Sequence, residues 1–480
     1  LGFNADEVVP PGMADFAPLF VSDRWNHWIY SQILEHRTAV RVVKVNPMES
    51  PGSTSDAVRS PRRESLPVRV KSTVKSLISA TSSVLAGSDF FFINSCVDQQ
   101  WRLERALGQL PTFWAAPSSR HMPLNWEQRS QLTLSLDAGN EFEACLAFMI
   151  PRQIPALYLE GYADLVKQTQ AISWPRQPKV IFTASAHNTN DFFKAWAAGK
   201  IEAGAKLVIG QHGGHFGVGR WVFHEDHEYA VADSYFSWGW TNPRNTKVRP
   251  LPSQKLGSLA KNLKHDPQGG VLLVLASLPR YSYWMYSIPV ASQMVDYLDE
   301  QMRFAETLRG NAKNQLLVRF YPHDYGWDQK LRWRDRLPNA QFDEPGRSMY
   351  ESARKCRLFV ATYNATTFLE TLAADFPTVM FWNPNHWEIR DEAAADFDRL
   401  REVGILHDTP ESAAQKVNDI WDDVDGWWDR ADVRRTRAVI CNKYARTSPQ
   451  WLPEWTAALH DVARSGTTHE METIDRPSQC

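Results

Sequence analysis

The amino-acid sequence predicts an α/β protein with two domains that face a central cleft. Three observations support this prediction. The 480 residues suffice for two or three domains with separate cores, at roughly 100 to 200 residues each. Short apolar runs alternate with amphipathic helical patterns, which is typical of parallel sheets. A segment rich in Pro, Lys and Asn divides the chain near its middle, as an inter-domain linker does.

The first domain is predicted over residues 1–245. Its strand candidates are short apolar runs that end in turn residues. These runs are 39–45, 89–97, 179–186, 206–211 and 235–240. A helix is predicted over Asp191–Glu202, where aromatic residues and an isoleucine form an apolar stripe. Residues 49–65 mix Pro, Gly, Ser and Arg without periodicity and predict a surface loop.

The second domain is predicted over residues 270–464, after a linker at 246–269 and before a polar tail at 465–480. Its first strand is the continuous apolar run 270–276, which is typical of a strand buried on both faces. Further strands are expected at 315–321, 357–362 and 378–381, with a helix at 366–375 and a Trp-rich helical end. Because ligands bind at the carboxyl ends of parallel strands, we expect the site between the two domains.

Composition excludes several classes of protein. The 53 Lys and Arg residues against 55 Asp and Glu residues give a net charge of −2, which supplies no basic field for nucleic acid. The five cysteines are scattered without CxxC spacing, so neither a disulfide framework nor a zinc ribbon is expected. No apolar run approaches the roughly 20 residues of a membrane span. We therefore expect a cytoplasmic location.

A polar motif, Gln211-His-Gly-Gly-His-Phe-Gly217, directly follows the apolar run 206–210. Adjacent glycines let a backbone approach a ligand and expose N–H groups to an anion. The predicted donor- or anion-binding residues are His212, Gly213, Gly214 and His215. With His224 and His227, the two histidines of this motif raise a metal-site hypothesis. The motif lacks the strict HExxH pattern, and hydrogen-bonded positioning of the loop is the favoured alternative.

Two acidic residues lie in apolar surroundings. Asp233 precedes the aromatic run 235–240, and Glu160 interrupts an apolar stretch. Glycosyl chemistry uses two such acids, because one attacks or stabilises the anomeric carbon while the other exchanges a proton. The sequence therefore suggests Asp233 and Glu160 as catalytic residues. A turn or cap role for Asp233 is the open alternative.

Three strand-end segments of the second domain carry hydroxyl, basic and aromatic side chains. A helix N-terminus with small hydroxyl residues can receive a phosphate, and an acid one turn later can reach a ribose diol. These segments predict a nucleotide site, and ordinary N-capping is the alternative for single residues. The predicted nucleotide-binding residues are Ser277, Arg280, Arg319, Tyr321, His323, Tyr363, Asn364, Thr366, Thr367 and Glu370.

Several ordered motifs resemble those of bacterial surface-carbohydrate transferases. They include KLVIGQHGGH at 206–215, the pattern of Glu228, Asp233 and WGW at 238–240, RYSY at 280–283, DYGW at 324–327, TYNATTFLE at 362–370 and FWNP at 381–384. The sequence is similar to the retaining β-Kdo transferase module of O-antigen polymerising proteins over about residues 39–455.

The resemblance implies a GT-B-type architecture of two Rossmann-like domains, with CMP-β-Kdo as the donor. Nucleotide binding then belongs mainly to the second domain and acceptor binding to the first. The resemblance also implies that Asp233 forms a covalent Kdo adduct and that Glu160 assists the acceptor hydroxyl. CMP is a good leaving group and retention needs a carboxylate nucleophile, so we expect no metal and no cofactor.

The expected function is thus retaining transfer of Kdo to a glycan acceptor in O-antigen or capsule synthesis. Its partners are the nucleotide-sugar donor and the glycan, with no nucleic acid. A lipid-linked acceptor, peripheral association with the inner face of the inner membrane and fused transferase modules stay open. The alternatives are a GT-B transferase with another nucleotide sugar, a metal-dependent hydrolase built on the histidines, and a glycan-binding module that uses the 20 Trp residues.

Overall fold

A computed structural model describes residues 8–38, 89–111, 114, 117, 122–134, 139–281 and 285–465. The strand predicted at 39–45, the loop at 49–65 and almost all of the tail at 465–480 lie outside the described residues. Within them, two parallel sheets form two α/β domains whose carboxyl edges meet. The prediction of a GT-B-like two-domain fold is confirmed.

The first sheet has five strands in the order β1-β2-β3-β4-β5, all parallel. The strands are β1 Phe90–Phe92, β2 Val180–Thr183, β3 Lys206–Gly210, β4 Ser234–Ser237 and β5 Val248–Pro250. The helices of this half are α1 Met13–Leu19, α2 Asp23–Arg37, α3 Gln100–Ala106, α4 Trp126–Gln131, α5 Glu141–Gln153, α6 Tyr162–Ala171, α7 Ala186–Thr189, α8 Asp191–Glu202, α9 Phe223–Val231 and α10 Gln254–Asn262, with a 3₁₀ turn at Ala156–Tyr158.

The second sheet has six parallel strands in the order β11-β10-β9-β6-β7-β8. Its strands are β6 Gly270–Val274, β7 Leu316–Arg319, β8 Gln341–Phe342, β9 Cys356–Ala361, β10 Thr378–Phe381 and β11 Leu406–His407. Its helices are α11 Gln293–Thr307, α12 Gly310–Asn314, α13 Gln329–Arg336, α14 Met349–Ala353, α15 Thr366–Ala373, α16 Asp391–Glu402, α17 Pro410–Ile420, α18 Val424–Trp428, α19 Ala431–Tyr444 and α20 Trp451–Arg464, with a 3₁₀ turn at Trp421–Asp423.

The strand order of the second sheet reverses direction at β6. The chain moves from β6 outward through β7 and β8 on one side, then returns to β9 on the other. The gap between β6 and β9 is therefore a topological switch point, where open α/β sheets bind ligands outside the carboxyl ends of their strands. The predicted nucleotide residues Ser277 and Tyr363 follow these two strands.

The segment 246–269 is more structured than the predicted linker. It contains β5, which pairs with β4 of the first sheet, and helix α10. The Pro and Lys content of this segment predicts a loop. The structure forms a strand there because β5 is an edge strand of only three residues, and a proline is tolerated at such an edge. The first sheet thus extends past residue 245.

The last helix, α20, returns to the first domain, although the sequence assigns it to the second. The Trp455 ring packs against Phe182 of β2 and Phe236 of β4 at ring-centroid distances of 5.4 and 5.5 Å. Its indole N–H donates to the carbonyl of Pro252 at 2.9 Å. This amphipathic helix therefore ties the end of the chain to the sheet of the other domain.

Aromatic residues fill much of the core. Phe91, Trp174 and Trp196 form one cluster with ring-centroid distances of 4.6 to 5.2 Å. Exposed tryptophans in the described part of the chain include Trp101 and Trp221. The abundance of Trp thus reflects packing more than a sugar-binding surface. No helix in the described ranges is long and apolar enough to cross a membrane.

Candidate functional site

The carboxyl edges of the two sheets meet through three polar contacts. The N–H of Gly214, after β3, donates to the hydroxyl of Thr366 at 3.0 Å. His215 Nδ1 lies 3.1 Å from the carbonyl oxygen of Asn364. Lys255 of α10 forms an ion pair with Glu370 of α15 at 3.0 Å. The loop after β3 and the N-terminal turns of α15 therefore form one continuous inter-domain surface.

Gly214 is required by this close approach. A Cβ atom on Gly214 would lie 2.6 Å from the carbonyl oxygen of Ala365, whereas one on Gly213 would meet nothing closer than 3.6 Å. The N–H of Gly214 is already occupied by Thr366. The glycine pair was predicted to bind an anion. In this structure Gly214 serves domain contact instead, because a residue without Cβ is needed to bring the two backbones together.

A second inter-domain contact is built around a buried carboxylate. Glu225 of α9 accepts two hydrogen bonds from Arg390, at 2.8 and 3.1 Å, and a third from the N–H of Gly217 at 2.8 Å. Arg390 also donates to the carbonyl of Gly219 at 2.9 and 3.0 Å. This bidentate pair anchors the segment after β3 to the second domain.

A buried cluster of one carboxyl group and two imidazoles lies beside the same loop. His187, after β2, places Nε2 at 3.0 Å from Glu228 Oε1, and His212 Nδ1 is 3.9 Å from the same oxygen. Glu228 has no exposed surface. Its Oε2 and His187 Nδ1 make no hydrogen bond of good geometry with the described residues. The hydroxyl of Tyr235 also interacts with Glu228 and opposes the effect of burial on its pKa. Buried polar atoms without partners are rare, so this cluster has hydrogen-bonding capacity for a ligand.

Burial sets the protonation of this cluster. Burial, with the nearby charge of Glu225, raises the pKa of Glu228 well above its ordinary value. Burial lowers the pKa of His187 well below its ordinary value. It also lowers the pKa of His212 to about 4, and the charge of Lys255 adds to that shift. At neutral pH the pair of Glu228 and His187 is therefore uncharged and holds one transferable proton.

Asp233, the predicted nucleophile, lies at the opposite edge of the first sheet. It precedes β4, and its Oδ2 accepts from the N–H of Leu207 at 2.8 Å while Lys206 Nζ lies 3.2 Å from Oδ1. A strand rises about 3.3 Å per residue, so the four residues of β4 separate Asp233 from the facing edges by about 13 Å. The structure therefore does not bring Asp233 to the facing edges, and its hydrogen bonds fit the alternative turn and cap role. Its part as nucleophile stays a prediction.

Glu160 is held in a buried ion pair. Arg129 donates to both of its oxygens, at 2.6 and 2.7 Å, and the N–H of Asn125 donates at 2.9 Å. Burial alone would raise the pKa of Glu160, but the hydrogen bonds from Arg129 and Asn125 outweigh it and the pKa is lowered. A general base needs a free oxygen and a pKa near the working pH. In this structure Glu160 is thus engaged as the anion of an ion pair, and its assistance to the acceptor hydroxyl stays a prediction.

The four histidines of the metal hypothesis have other partners or neighbours. His215 is engaged with Asn364, and His224 with the hydroxyl of Tyr286. Across the described ranges, no group of three or more His, Cys, Asp or Glu residues is arranged to hold a metal ion. The alternative of loop positioning fits His215.

The switch point of the second sheet has unused hydrogen-bonding capacity. Asn364 has no exposed surface, and neither its amide nitrogen nor its amide oxygen has a partner among the described residues. It stands two residues before α15, whose first residues are Thr366 and Thr367. Ser277, after β6, is buried and donates to the carbonyl of Asp324 at 3.0 Å. These residues surround the expected nucleotide position.

Other predicted nucleotide residues already have protein partners or lie in solvent. Arg280 pairs with Asp23 of α2 at 2.5 Å, and Arg319 pairs with Asp343. Tyr321 and His323, after β7, are exposed. The structure therefore does not bring these four side chains to the switch point together with Asn364, because their ion pairs or loop positions hold them elsewhere.

Sequence reasoning missed His187, Lys255 and Arg390 at the facing edges, and it gave Glu228 no role beyond its place in the motif with Asp233. His187 could have been found, since it follows a predicted strand at its carboxyl end. Lys255 lay inside the predicted linker. The pairing of His187 with Glu228, 41 residues apart, needs the tertiary structure.

Several solved structures match parts of this chain. A UDP-N-acetylglucosamine 2-epimerase from Listeria monocytogenes is 12% identical over 62% of this chain and 77% of that chain, with a TM-score of 0.38. MurG from Acinetobacter baumannii is 10% identical over 78% of this chain and 98% of that chain, with a TM-score of 0.37. WaaG, described as a glycosyltransferase involved in lipopolysaccharide biosynthesis, is 13% identical over 60% of this chain and 75% of that chain, with a TM-score of 0.26. TM-scores below 0.5 add nothing about activity. No curated protein sequence matches.

One transferase family matches most of the chain. Residues 1–459 match the family described as LIC12162 family transferase. This range includes both sheets and the first part of α20. The chain belongs to the LIC12162 transferase family.

Proposed function

We propose that the chain is a glycosyltransferase that moves a sugar from a nucleotide donor to a glycan acceptor. The observation that carries this proposal is the pair of carboxyl edges joined through Gly214, His215 and Lys255. An open parallel sheet binds its ligand at that edge, so two edges that meet offer one site for each substrate. Membership in a transferase family agrees with such a two-substrate reaction.

For the donor we propose CMP-β-Kdo, used with retention of configuration in the synthesis of O-antigen or capsule. The ordered motifs at 206–215, 280–283 and 362–370 support this choice through their resemblance to β-Kdo transferases. The unpartnered side chain of Asn364 at the switch point supports a nucleotide bound by the second domain. Another nucleotide sugar is the alternative.

Retention through two displacements needs a carboxylate beside the anomeric carbon. Because Asp233 lies at the wrong edge, we assign this role to Glu228. Its Oε2 is not engaged in a good hydrogen bond, and His187 beside Oε1 can take its proton. Glu228 is fully buried in this closed structure, so the loop at 211–217, which carries His212, must move aside for the donor.

The proposed reaction has two displacement steps. When the loop at 211–217 moves aside, water reaches the pair and relieves the burial that raises the pKa of Glu228 and lowers that of His187, so the Glu228 proton can pass to His187. The carboxylate oxygen then attacks the anomeric carbon while the bond to the CMP oxygen breaks. The electron pair of that bond leaves with CMP. In the second step the acceptor hydroxyl oxygen attacks the same carbon and the Glu228 ester bond breaks. The hydroxyl proton leaves to water or to the CMP phosphate, and the proton on His187 returns to Glu228.

Calorimetric titration of the purified protein with CMP, UDP and GDP tests the proposal. We expect CMP to bind more tightly than either diphosphate. Clearly tighter UDP or GDP binding would disprove the CMP-β-Kdo assignment and leave a transferase with another donor. If no nucleotide bound, the glycosyltransferase proposal itself would be refuted.

A further inference from the structure

We propose that Lys255, on the helix α10 that lies between the two domains, binds a negatively charged oxygen of the donor. This inference rests on the proposed function in taking a nucleotide sugar as the ligand. It adds a cation from the segment that joins the two domains to the strand-end residues of the second domain.

Lys255 occupies a central place between the two sheets. It is the second residue of α10, which starts just beyond the carboxyl end of β5, and its ammonium lies 3.0 Å from Glu370 Oε1. Its charge acts on His212 after β3, where it adds to the lowering of the pKa by burial. Burial raises the pKa of Cys96, after β1, and Lys255 opposes that rise. One cation thus reaches strand ends of both domains.

The ammonium of Lys255 has capacity for a further ligand. An ammonium group has three N–H donors, and its ion pair with Glu370 needs one of them. The Lys255 side chain is 36% exposed, while that of Glu370 is 4% exposed. The open side of this pair therefore belongs to the lysine, and a ligand can approach it without displacing Glu370.

The N-terminus of α15 provides the second half of the site. Glu370 is four residues beyond Thr366, the first residue of α15, so its backbone lies about 6 Å from that terminus along the helix axis, and Lys255 pairs with its side chain. Free N–H groups and the helix dipole favour an anion there. Asn364, fully buried just before the helix, has an unpartnered amide among the described residues. Helix, amide and ammonium together form a site for a phosphate or a carboxylate.

Both candidate anions belong to the same donor. A CMP sugar of the Kdo type carries one phosphate and one carboxylate, and cytidine carries neither. Binding of CMP therefore reports on the phosphate alone. The KM for the complete donor reports on both anions.

The test compares wild type, Lys255→Met and Lys255→Arg by calorimetry with CMP and cytidine. Lys261→Met is the matched control, since Lys261 is exposed on the same helix. We expect Lys255→Met to weaken CMP binding roughly tenfold or more, as loss of a charged hydrogen bond does. Cytidine binding should not change, Lys255→Arg should retain most of the affinity for CMP, and Lys261→Met should behave as wild type.

If CMP binding is unchanged while the KM for the donor rises at constant kcat, Lys255 binds the sugar carboxylate, which supports the proposal. Equal loss of CMP and cytidine binding would show a structural role and overturn it, as would no effect on either CMP or donor. Lys255→Gln replaces Lys255→Met if that variant does not fold. Titration with UMP and GMP separates the two claims, since a Lys255 effect on a preferred UMP or GMP would refute the Kdo donor and retain the lysine site.

Discussion

The carboxyl groups at the two edges of the first sheet differ in burial and in hydrogen bonding. At the amino edge, Asp233 is bound by the N–H of Leu207 and the ammonium of Lys206, and a third of its side chain remains in solvent. At the carboxyl edge, Glu228 is fully buried beside His187, and its second oxygen lacks a good partner within the described residues. A carboxyl group whose oxygens have hydrogen-bond partners stabilises the fold. A buried carboxyl group with an unpartnered oxygen costs free energy, which indicates a role other than stability.

The energetics of burial support this distinction. An unpaired buried polar group costs about 1 to 3 kcal/mol, which is a large part of the net stability of a domain. Near the facing edges such groups recur at His187, Glu228 and Asn364. Because they gather where both sheets offer a ligand site, a bound substrate is the partner that would satisfy them.

The largest expected effect follows from replacing Glu228 with glutamine. Glu228→Gln keeps the shape of the side chain and removes the nucleophile, so we expect transfer to fall at least about a thousandfold, or roughly 4 kcal/mol. CMP affinity should change little, because the nucleotide binds to the other domain. Transfer assays and intact-protein mass spectrometry with donor alone measure both claims.

Asp233→Asn is the control for that experiment. We expect a Kdo-sized mass increase on wild type and on Asp233→Asn, and none on Glu228→Gln. An adduct mapped to Asp233, or near-normal turnover by Glu228→Gln, would show that Glu228 is not the nucleophile and would support Asp233 in that role.

An intermediate effect is expected from a variant that loosens the contact between the two domains. In Gly214→Ala the new Cβ would lie 2.6 Å from the carbonyl oxygen of Ala365, which is backbone and must shift. We expect kcat/KM to fall about ten- to a hundredfold, because small misplacements of catalytic groups reduce rates to this extent. The Gly213→Ala control adds a Cβ with ordinary contacts and should have a much smaller effect. Equal effects of the two variants would refute a role for Gly214 in domain contact.

The sequence predicted the fold better than the site. Apolar runs locate β2, β3, β6 and β10 well, since a buried parallel strand must be continuously apolar. Residues that follow parallel strands are expected to share an edge, and this holds for the loop after β3 and the helix after β9, where the N–H of Gly214 donates to Thr366. Asp233 differs, because this residue precedes its strand and so lies at the other edge.

Other parts of the site depend on information that local pattern lacks. The helical spacing of α9 places Glu225 and Glu228 on one face, yet which of them meets Arg390 and which meets His187 is decided by packing. Lys255 was hidden because its short helix follows a three-residue edge strand in a Pro-rich segment. Likewise, the ion pair of Glu160 with Arg129 joins residues 31 positions apart.

The smallest expected effect on transfer concerns Asp233. Asp233→Ala removes the acceptor of the Leu207 N–H and leaves the largely buried Lys206 ammonium without this partner. Because Asp233 is 32% exposed on its side chain, solvent screens part of the charge interaction, and we expect the free energy of unfolding to fall by about 1 to 2 kcal/mol. Transfer per folded molecule should stay within about twofold of wild type, since the facing edges are about 13 Å away. Denaturant unfolding and active-site-normalised turnover measure the two effects separately. A variant that unfolds like wild type but transfers poorly would show that the amino edge takes part in the reaction, whereas the reverse pattern assigns Asp233 to stability alone.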